Sequence, residues 1–307
     1  MNLRNVLVTG AAGFIGGHLC HELMRLNFGE IIGVDCLRSG TWDRTPDSVR
    51  RVEREISSIS LDEWIELLSE VDVLFHLAAE KHNPSISTPQ RLISTNVSAT
   101  ETVIRAAAIA NVGRVVFTSS LYAYGSMGPD SMSEADVPRP TTLYGASKLM
   151  GEHILASVDL ELGLSWNCAR LFFIYGPHQF AEGGYKSVIV SNFQRIISGK
   201  KPIIRGDGLQ SLDYVFIDDC IDALVTLATA DSDRNVINVA TGSPTSLWDL
   251  TTMMLRIADS PLQPTFAPHD WTFGSSRFGS TVAAKSLFGW ESKTSIYQGL
   301  TNTFNSI

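Results

Sequence analysis

Residues 9–16 read Thr-Gly-Ala-Ala-Gly-Phe-Ile-Gly and lie between the apolar run Val6–Thr9 and an amphipathic stretch that opens at Phe14. Glycines at 10, 13 and 16 allow a tight turn, close approach of the backbone to a pyrophosphate, and close packing of a helix on a strand. A helix starting there aims its unpaired N–H groups and the positive end of its dipole at an anion. The next apolar run, Glu30–Asp35, ends on an acid. A carboxylate at that place accepts both hydroxyls of an adenosine ribose and repels a 2′-phosphate. The pattern therefore predicts a site for NAD rather than NADP, built on Gly10, Gly13, Phe14, Ile15, Gly16 and Asp35. Arg38 lies near enough to weaken that preference, or is a solvated loop arginine. A glycine-rich turn without a ligand is the alternative; the strand, helix and acid around it argue against that.

Short apolar runs alternate with longer amphipathic stretches through the first half of the chain. Expected strands are Val6–Thr9, Glu30–Asp35, Val71–Leu77, Arg114–Thr118 and Ser165–Phe172. Expected helices are Phe14–Leu26, Leu61–Leu68, Leu92–Ala110 and Tyr144–Leu160. The strands are almost continuously apolar, as when helices cover both faces of a parallel sheet, and repeated βα units of this kind give a doubly wound α/β fold. The strand ending Phe75-His76-Leu77-Ala78-Ala79 sets Leu77, Ala78 and Ala79 beside the cofactor, with His76 as a hydrogen-bonded core residue.

After Tyr175 glycine and proline become frequent. A helix is expected over Ser187–Ser198, another from Asp218 or Asp219 to Thr229, and a strand over Asn235–Val239. Two further helical stretches and a loop from Pro261 to Pro268 complete the chain. The predicted division is a dinucleotide-binding domain of residues 1–175 with about 208–240, and a smaller α+β substrate lobe of about 176–207 with 241–307.

Composition limits what such a fold serves. With 24 Lys+Arg against 32 Asp+Glu, the net charge of -8 argues against nucleic acid as the main ligand. No apolar stretch approaches the roughly 18 residues of a membrane span, and MNLRNVLVTG runs straight into a strand pattern, so a cytoplasmic protein is expected. Cys20, Cys36, Cys168 and Cys220 are far apart and form no CxxC, which reads as reduced thiols rather than a metal or disulfide framework.

The second constellation is chemical. Arg114–Thr118 runs into Ser119-Ser120-Leu121-Tyr122-Ala123-Tyr124-Gly125, followed by Tyr144-Gly145-Ala146-Ser147-Lys148. Tyr144 and Lys148 are four apart and share a helix face. An ammonium beside a phenol stabilises the phenolate and lowers a pKa that is otherwise about 10. Tyr144 would then exchange a proton with an alcohol near neutral pH, while a serine hydroxyl orients the same oxygen. A Tyr-x-x-x-Lys pair alone is an ordinary helix face; downstream of a dinucleotide loop and a strand-end serine it is a candidate centre.

Together these segments resemble the extended short-chain dehydrogenase/reductase family, the nucleotide-sugar epimerases and dehydratases. The resemblance spans nearly the whole chain: TGAAGFIG, Asp35, HLAA (76–79), Asn96-Val97, SSLYAYG (119–125), YGASK (144–148), RLFFIYGP (170–177), GDGLQSLDY (206–214) and FGW (288–290). It implies a Rossmann-like domain holding NAD and a nucleoside diphosphate sugar held between the lobes. It also implies Tyr144 as base, Lys148 on the nicotinamide ribose, Ser120 as hydroxyl partner, and Lys81 and Asn96 near the cofactor. A homodimer is implied too, through helices matching Leu92–Ala110 and Tyr144–Leu160, with stripes of Val103, Ala107 and Ala110 and of Met150, Ile154 and Ser157.

The two places after Ser120 sort the family's reactions. Its 4,6-dehydratases carry acids there; this chain has Leu121 and Tyr122. That favours an epimerase working through a transient keto-sugar. Alternatives are a dehydratase using Tyr122 as an acid, a net NAD(P)-dependent oxidoreductase on a keto-sugar, and a non-catalytic NAD-sensing protein. Expected substrate contacts are Lys81, Ser120, Leu121, Tyr122, Phe173, Lys186, Arg205 and Leu212. Phe173 stands where many members have asparagine, Leu212 where they have arginine, and Ala267-Pro268-His269-Asp270 stands for their RPGD motif. Lys186, Arg195, Arg205, His178 and Arg277 either replace those lost phosphate contacts or are solvated surface charges, and a different activated sugar or polyol is the alternative substrate.

Overall fold

The alternating apolar and amphipathic runs form the expected βα units in the computed structural model, which describes residues 4–125, 131–179, 187–270 and 272–307, without the side chains of 83–85. In chain order the first elements are β1 (Val6–Thr9), α1 (Phe14–Arg25), β2 (Ile31–Asp35), β3 (Arg50–Glu53), α2 (Leu61–Leu68) and β4 (Val73–His76). Then come α3 (His82–Ser87), α4 (Pro89–Ile93), α5 (Thr100–Ile109), β5 (Arg114–Ser120), α6 (Leu143–Leu162) and β6 (Trp166–Leu171). The chain continues with β7 (Phe173–Tyr175), α7 (Val188–Ile197), β8 (Ile203–Arg205), β9 (Ser211–Leu212), β10 (Tyr214–Phe216), α8 (Ile217–Thr229) and β11 (Asn235–Val239). It ends with β12 (Thr245–Ser246), α9 (Leu247–Ile257), β13 (Thr265–Ala267), β14 (Ser276–Arg277), α10 (Val282–Phe288) and α11 (Ile296–Asn305).

Seven strands make one parallel sheet in the order β11-β6-β5-β4-β1-β2-β3, a Rossmann-like doubly wound arrangement. β1 and β4 are buried along their whole length because helices flank the sheet. Trp64 and Leu68 of α2, Val103, Ile104 and Ala107 of α5, and Leu155 and Val158 of α6 join Leu7, Leu74, Val115 and Phe117 in one apolar core. The strand order reverses at β1, with β2 and β3 on one side and β4, β5 and β6 on the other. A reversal leaves a crevice at the carboxyl ends of the strands, where such sheets bind their ligands.

Several expectations need correction. Strand β3 escaped the sequence because Arg-Arg-Val-Glu carries almost no apolar signal; it is an edge strand held by its backbone against Ile32–Asp35. The single helix expected over Leu92–Ala110 is α4, a π-helical turn at Ser94–Ala99, and α5. The Pro261–Pro268 loop contains β13, which pairs with β8. Val103 and Ala107, proposed for a dimer stripe, lie in the protein's own core, whereas Met150 and Leu160 are exposed.

The chain divides into two compact units. One comprises Met1–Ser126, Val137–Leu171 and Ile221–Ile237; the other comprises Met127–Asp136, Phe172–Cys220 and Asn238–Ile307. Residues 172–175, 208–220 and 238–240, read from sequence with the first lobe, group with the second unit, where β9 pairs with β12 and β14 and β10 pairs with β7. In that unit the Asp213 carboxylate accepts hydrogen bonds from the backbone N–H groups of Thr241, Gly242 and Gly279 and from the Thr241 hydroxyl, tying β10 to the loops beside it. Among the described residues no helix is long and apolar enough to cross a membrane.

Candidate active site

The glycine-rich loop links the carboxyl end of β1 to α1. Gly10 has a φ of +74°, a conformation open to glycine, and a Cβ there would lie 3.0 Å from the Ala78 backbone nitrogen. Gly13 is the residue before α1, and Phe14, Ile15 and Gly16 form its first turn. No side chain caps this helix and no acid occupies its first turn, so its amide end presents N–H groups to an anion. One Asp35 oxygen accepts the Ala12 N–H at 3.0 Å and the other accepts the Leu37 N–H at 2.8 Å. Each oxygen keeps a lone pair for a ribose hydroxyl. Burial raises the Asp35 pKa while those N–H groups and Lys81 oppose the rise. These features fit NAD.

The floor of this region is the end of β4. His76 is fully buried between the hydroxyls of Thr9, 2.8 Å from Nδ1, and Thr100, 3.0 Å from Nε2. Burial, then the charge of Lys148, pushes its pKa down to about 3, so it is a neutral core histidine. The Thr9 hydroxyl also accepts the N–H groups of Leu77 and Ala78, fixing the half-buried Leu77-Ala78-Ala79 turn against β1. Arg38, a partly exposed loop arginine, is held in ion pairs with Glu55 and Glu80. Asn96, within the π turn, is buried; its amide accepts the Glu80 N–H at 2.7 Å and donates to the Glu80 carbonyl at 3.0 Å and the Ser147 hydroxyl at 3.1 Å. Those bonds make Asn96 a bracket between the 77–82 segment and α6.

Tyr144 and Lys148 occupy the first two turns of α6, which starts at Thr142, whose hydroxyl accepts the Gly145 N–H at 3.0 Å. The Lys148 ammonium donates to the Thr118 carbonyl at 2.8 Å and lies 5.1 Å from the Phe117 ring centroid and 6.0 Å from that of Tyr144. Burial lowers its pKa to about 8, with Cys168 and Glu152 opposing. Ser120, the last residue of β5, is hydrogen-bonded to Tyr144 and accepts the Tyr122 N–H at 3.3 Å. The three residues read from sequence as a centre are thus together. One expectation is overturned: burial pushes the Tyr144 phenol up, to about 12, and only the bond with Ser120 pulls it down. Desolvation prevails: the Lys148 ammonium donates a hydrogen bond to the Thr118 carbonyl and lies 6.0 Å from the Tyr144 ring centroid.

Tyr122 meets Tyr144 edge to face with ring centroids 5.5 Å apart, while Leu121 is buried. His82, not singled out in the sequence, lies 5.0 Å from the Tyr122 ring and 6.2 Å from the Tyr144 ring. Its one sequence signal was its place beside Lys81. Burial lowers the His82 pKa. Burial and Arg44 lower that of Lys81, against the pull of Asp35 and Glu80.

A dinucleotide cradle and a Ser-Tyr-Lys centre in one unit match known proteins. Residues 6–240 match the NAD dependent epimerase/dehydratase family. The chain belongs to that family. The UDP-glucose 4-epimerase of Mycolicibacterium smegmatis is 31% identical over 97% of this chain and 96% of that protein. The dTDP-glucose 4,6-dehydratase of Streptomyces antibioticus is 31% identical over 82% of this chain and 76% of that protein. Among solved structures, the UDP-glucose 4-epimerase of Thermotoga maritima with UDP-glucose superposes with a TM-score of 0.92 at 29% identity, covering 98% of each chain. The protein is accordingly an NAD-dependent enzyme of the nucleotide-sugar epimerase/dehydratase family.

The remaining expected substrate residues lie in the second unit. Phe173 is half-buried on β7 with its ring 6.0 Å from that of Tyr214, and Arg205 is exposed at the end of β8. Leu212 is buried on β9, and Arg277 of β14 lies directly opposite it in register. Lys186 lies outside the described residues.

Proposed function

We propose that this family member is an epimerase acting on a nucleoside diphosphate sugar through a transient keto-sugar. The observation that carries the reading is the arrangement at the end of β5: Ser120 on Tyr144, Lys148 one turn along, and Leu121 and Tyr122 where an elimination would need carboxylates. NAD, when bound, supplies a reversible hydride acceptor. The phenolate form of Tyr144 takes the proton of the sugar hydroxyl and, as the phenol, later returns it, with Ser120 orienting the same oxygen. Lys148, one turn along α6 and anchored on the Thr118 carbonyl, would hold the nicotinamide ribose of bound NAD. Asp35 binds the adenosine ribose, and the amide end of α1 faces the pyrophosphate.

The family's arginine at position 212 is replaced by leucine, and Arg277 on the adjoining strand supports a diphosphate contact from the neighbouring position. A dehydratase is the second reading, favoured by one observation: Tyr122 and His82 place a phenol and an imidazole beside Tyr144. The test incubates the protein and NAD with UDP-, dTDP-, GDP- and CDP-hexoses and separates products chromatographically. Interconversion of C4 epimers without free NADH supports epimerase action. A 4-keto-6-deoxy product would establish the dehydratase instead, and stoichiometric NADH a net dehydrogenase.

A further inference from the structure

Behind the Ser-Tyr-Lys centre lies a second buried polar group that the reaction scheme does not use. Three consecutive residues of β5 each reach α6: the Thr118 carbonyl accepts from Lys148 at 2.8 Å, the Ser119 hydroxyl donates to Glu152 at 2.5 Å, and Ser120 bonds Tyr144. Tyr144, Lys148 and Glu152 are spaced four residues apart, so they form one stripe along the helix. Arg170 of β6, in register with Ser119, donates to both Glu152 oxygens at 3.0 and 2.7 Å. Its guanidinium lies 4.5 Å from the Tyr124 ring centroid. Glu152 and Arg170 are both buried.

We propose that Glu152 is a positioning residue for the reaction: through Ser119 it sets α6 along β5 so that Tyr144 meets Ser120, and it places a buried charge one turn along the same helix stripe from Lys148. The assignment rests on the reading of Tyr144 and Lys148 as the catalytic pair. Stability alone is a poor reason for the ion pair, because desolvating two charges costs about what their attraction returns, and apolar replacements of equal volume are often as stable. The charge does have a nearby recipient. Lys148 is faced by His76 from β4, by Cys168 from β6, and by Tyr144 and Glu152 from its own helix. His76, the Cys168 thiol and the Tyr144 phenol are neutral near pH 7, because burial lowers the first and raises the other two. Glu152 is thus the anion in that set, and Arg170 tempers its pull, since the guanidinium shares one carboxylate oxygen with the Ser119 hydroxyl and also donates to the other.

The test uses the NAD-bound protein and two readouts, kcat against pH and the titration of Lys148 by heteronuclear NMR of its side-chain nitrogen. Glu152→Gln keeps the size and the Ser119 bond and removes the charge. It is expected to move the basic limb of kcat and the Lys148 titration down by on the order of one pH unit, with the KM for the sugar little changed. Glu152→Asp restores the charge and should return both toward wild type. An unmoved Lys148 titration in folded Glu152→Gln overturns the proposal whatever the turnover. A moved titration with unchanged kcat leaves the charge effect standing and instead overturns Lys148 as part of the catalytic pair. Should Glu152→Gln fail to fold, Ser119→Ala leaves the ion pair in place. A several-fold drop in kcat at unchanged NAD affinity then supports the positioning role, and an unchanged kcat overturns it.

Discussion

At the centre of the site two groups are displaced in opposite senses, the Tyr144 phenol up to about 12 and the Lys148 ammonium down to about 8. Lys148 carries its charge below about pH 8 and loses it above, so turnover should decline as pH rises through that region. A pH–rate profile still rising at pH 9 would contradict this. Tyr144→Phe removes the group that exchanges the proton and should lower kcat by about 10²–10⁴-fold while calorimetry finds NAD binding intact. His76 gives a stability prediction with a definite sign. Its folded pKa is about 3 and its unfolded value about 6.5, so its contribution is complete above pH 6.5 and is lost as pH falls toward 3. Melting temperature should fall between pH 7 and 5 in wild type and less steeply in His76→Asn; equal slopes would assign the acid sensitivity elsewhere.

At the scale of elements, the placement of the proposed catalytic pair depends on how closely α6 lies on β5. Gly151 is the point of contact, where an added Cβ would sit 2.4 Å from the Phe117 ring. Gly151→Ala should therefore cost about 1–3 kcal/mol by overpacking. The same push displaces Lys148, which rests 5.1 Å from the Phe117 centroid, so kcat should fall with it. A variant with wild-type melting temperature and kcat would show that the helix yields freely. The reading of elements from sequence succeeded where a pattern was strong, as in α6 and β6, and failed where the backbone did the work. β3 is polar, and the π turn at Ser94–Ala99 differs from an α-helix by one hydrogen-bond register that no periodicity reveals.

On the scale of the whole molecule, the dinucleotide loop, Asp35 and the Ser-Tyr-Lys centre fall in one compact unit, with Phe173, Arg205 and Leu212 in the other. NAD at 100 times its Kd should stabilise the fold by about 2.7 kcal/mol and raise the melting temperature. NADP at the same concentration should do less, because Asp35 repels a 2′-phosphate and Arg38 is already paired with two glutamates. Equal shifts would remove Asp35 as the discriminator. A dianionic substrate entering a chain of net charge -8 needs local positive charge. Arg277→Ala is expected to raise the KM for the nucleotide sugar about 10-fold with kcat unchanged, the mark of binding lost equally from ground and transition states. Steady-state kinetics at saturating NAD checks this, and an unaltered KM would exclude Arg277 from the diphosphate contact.

The sequence by itself determined the features written in short-range spacing: a glycine loop between strand and helix, an acid closing the next strand, and Tyr144 four residues from Lys148. The loop and the Tyr-Lys pair are local, because backbone sterics and helix periodicity alone bring those groups together, while Asp35 reaches the loop through the pairing of β1 with β2. Tertiary structure decided the rest. It set the sign of the Tyr144 shift, since desolvation depends on what covers a phenol, and it gave the Thr118 carbonyl the lysine's hydrogen bond. It placed His82 against Tyr122, Asn96 against Ser147, and Arg277 opposite Leu212, partners separated by 40, 51 and 65 positions in the chain. Such pairings leave no periodic trace in a linear string; they exist once β4, β5 and α6, and separately β9 and β14, have packed.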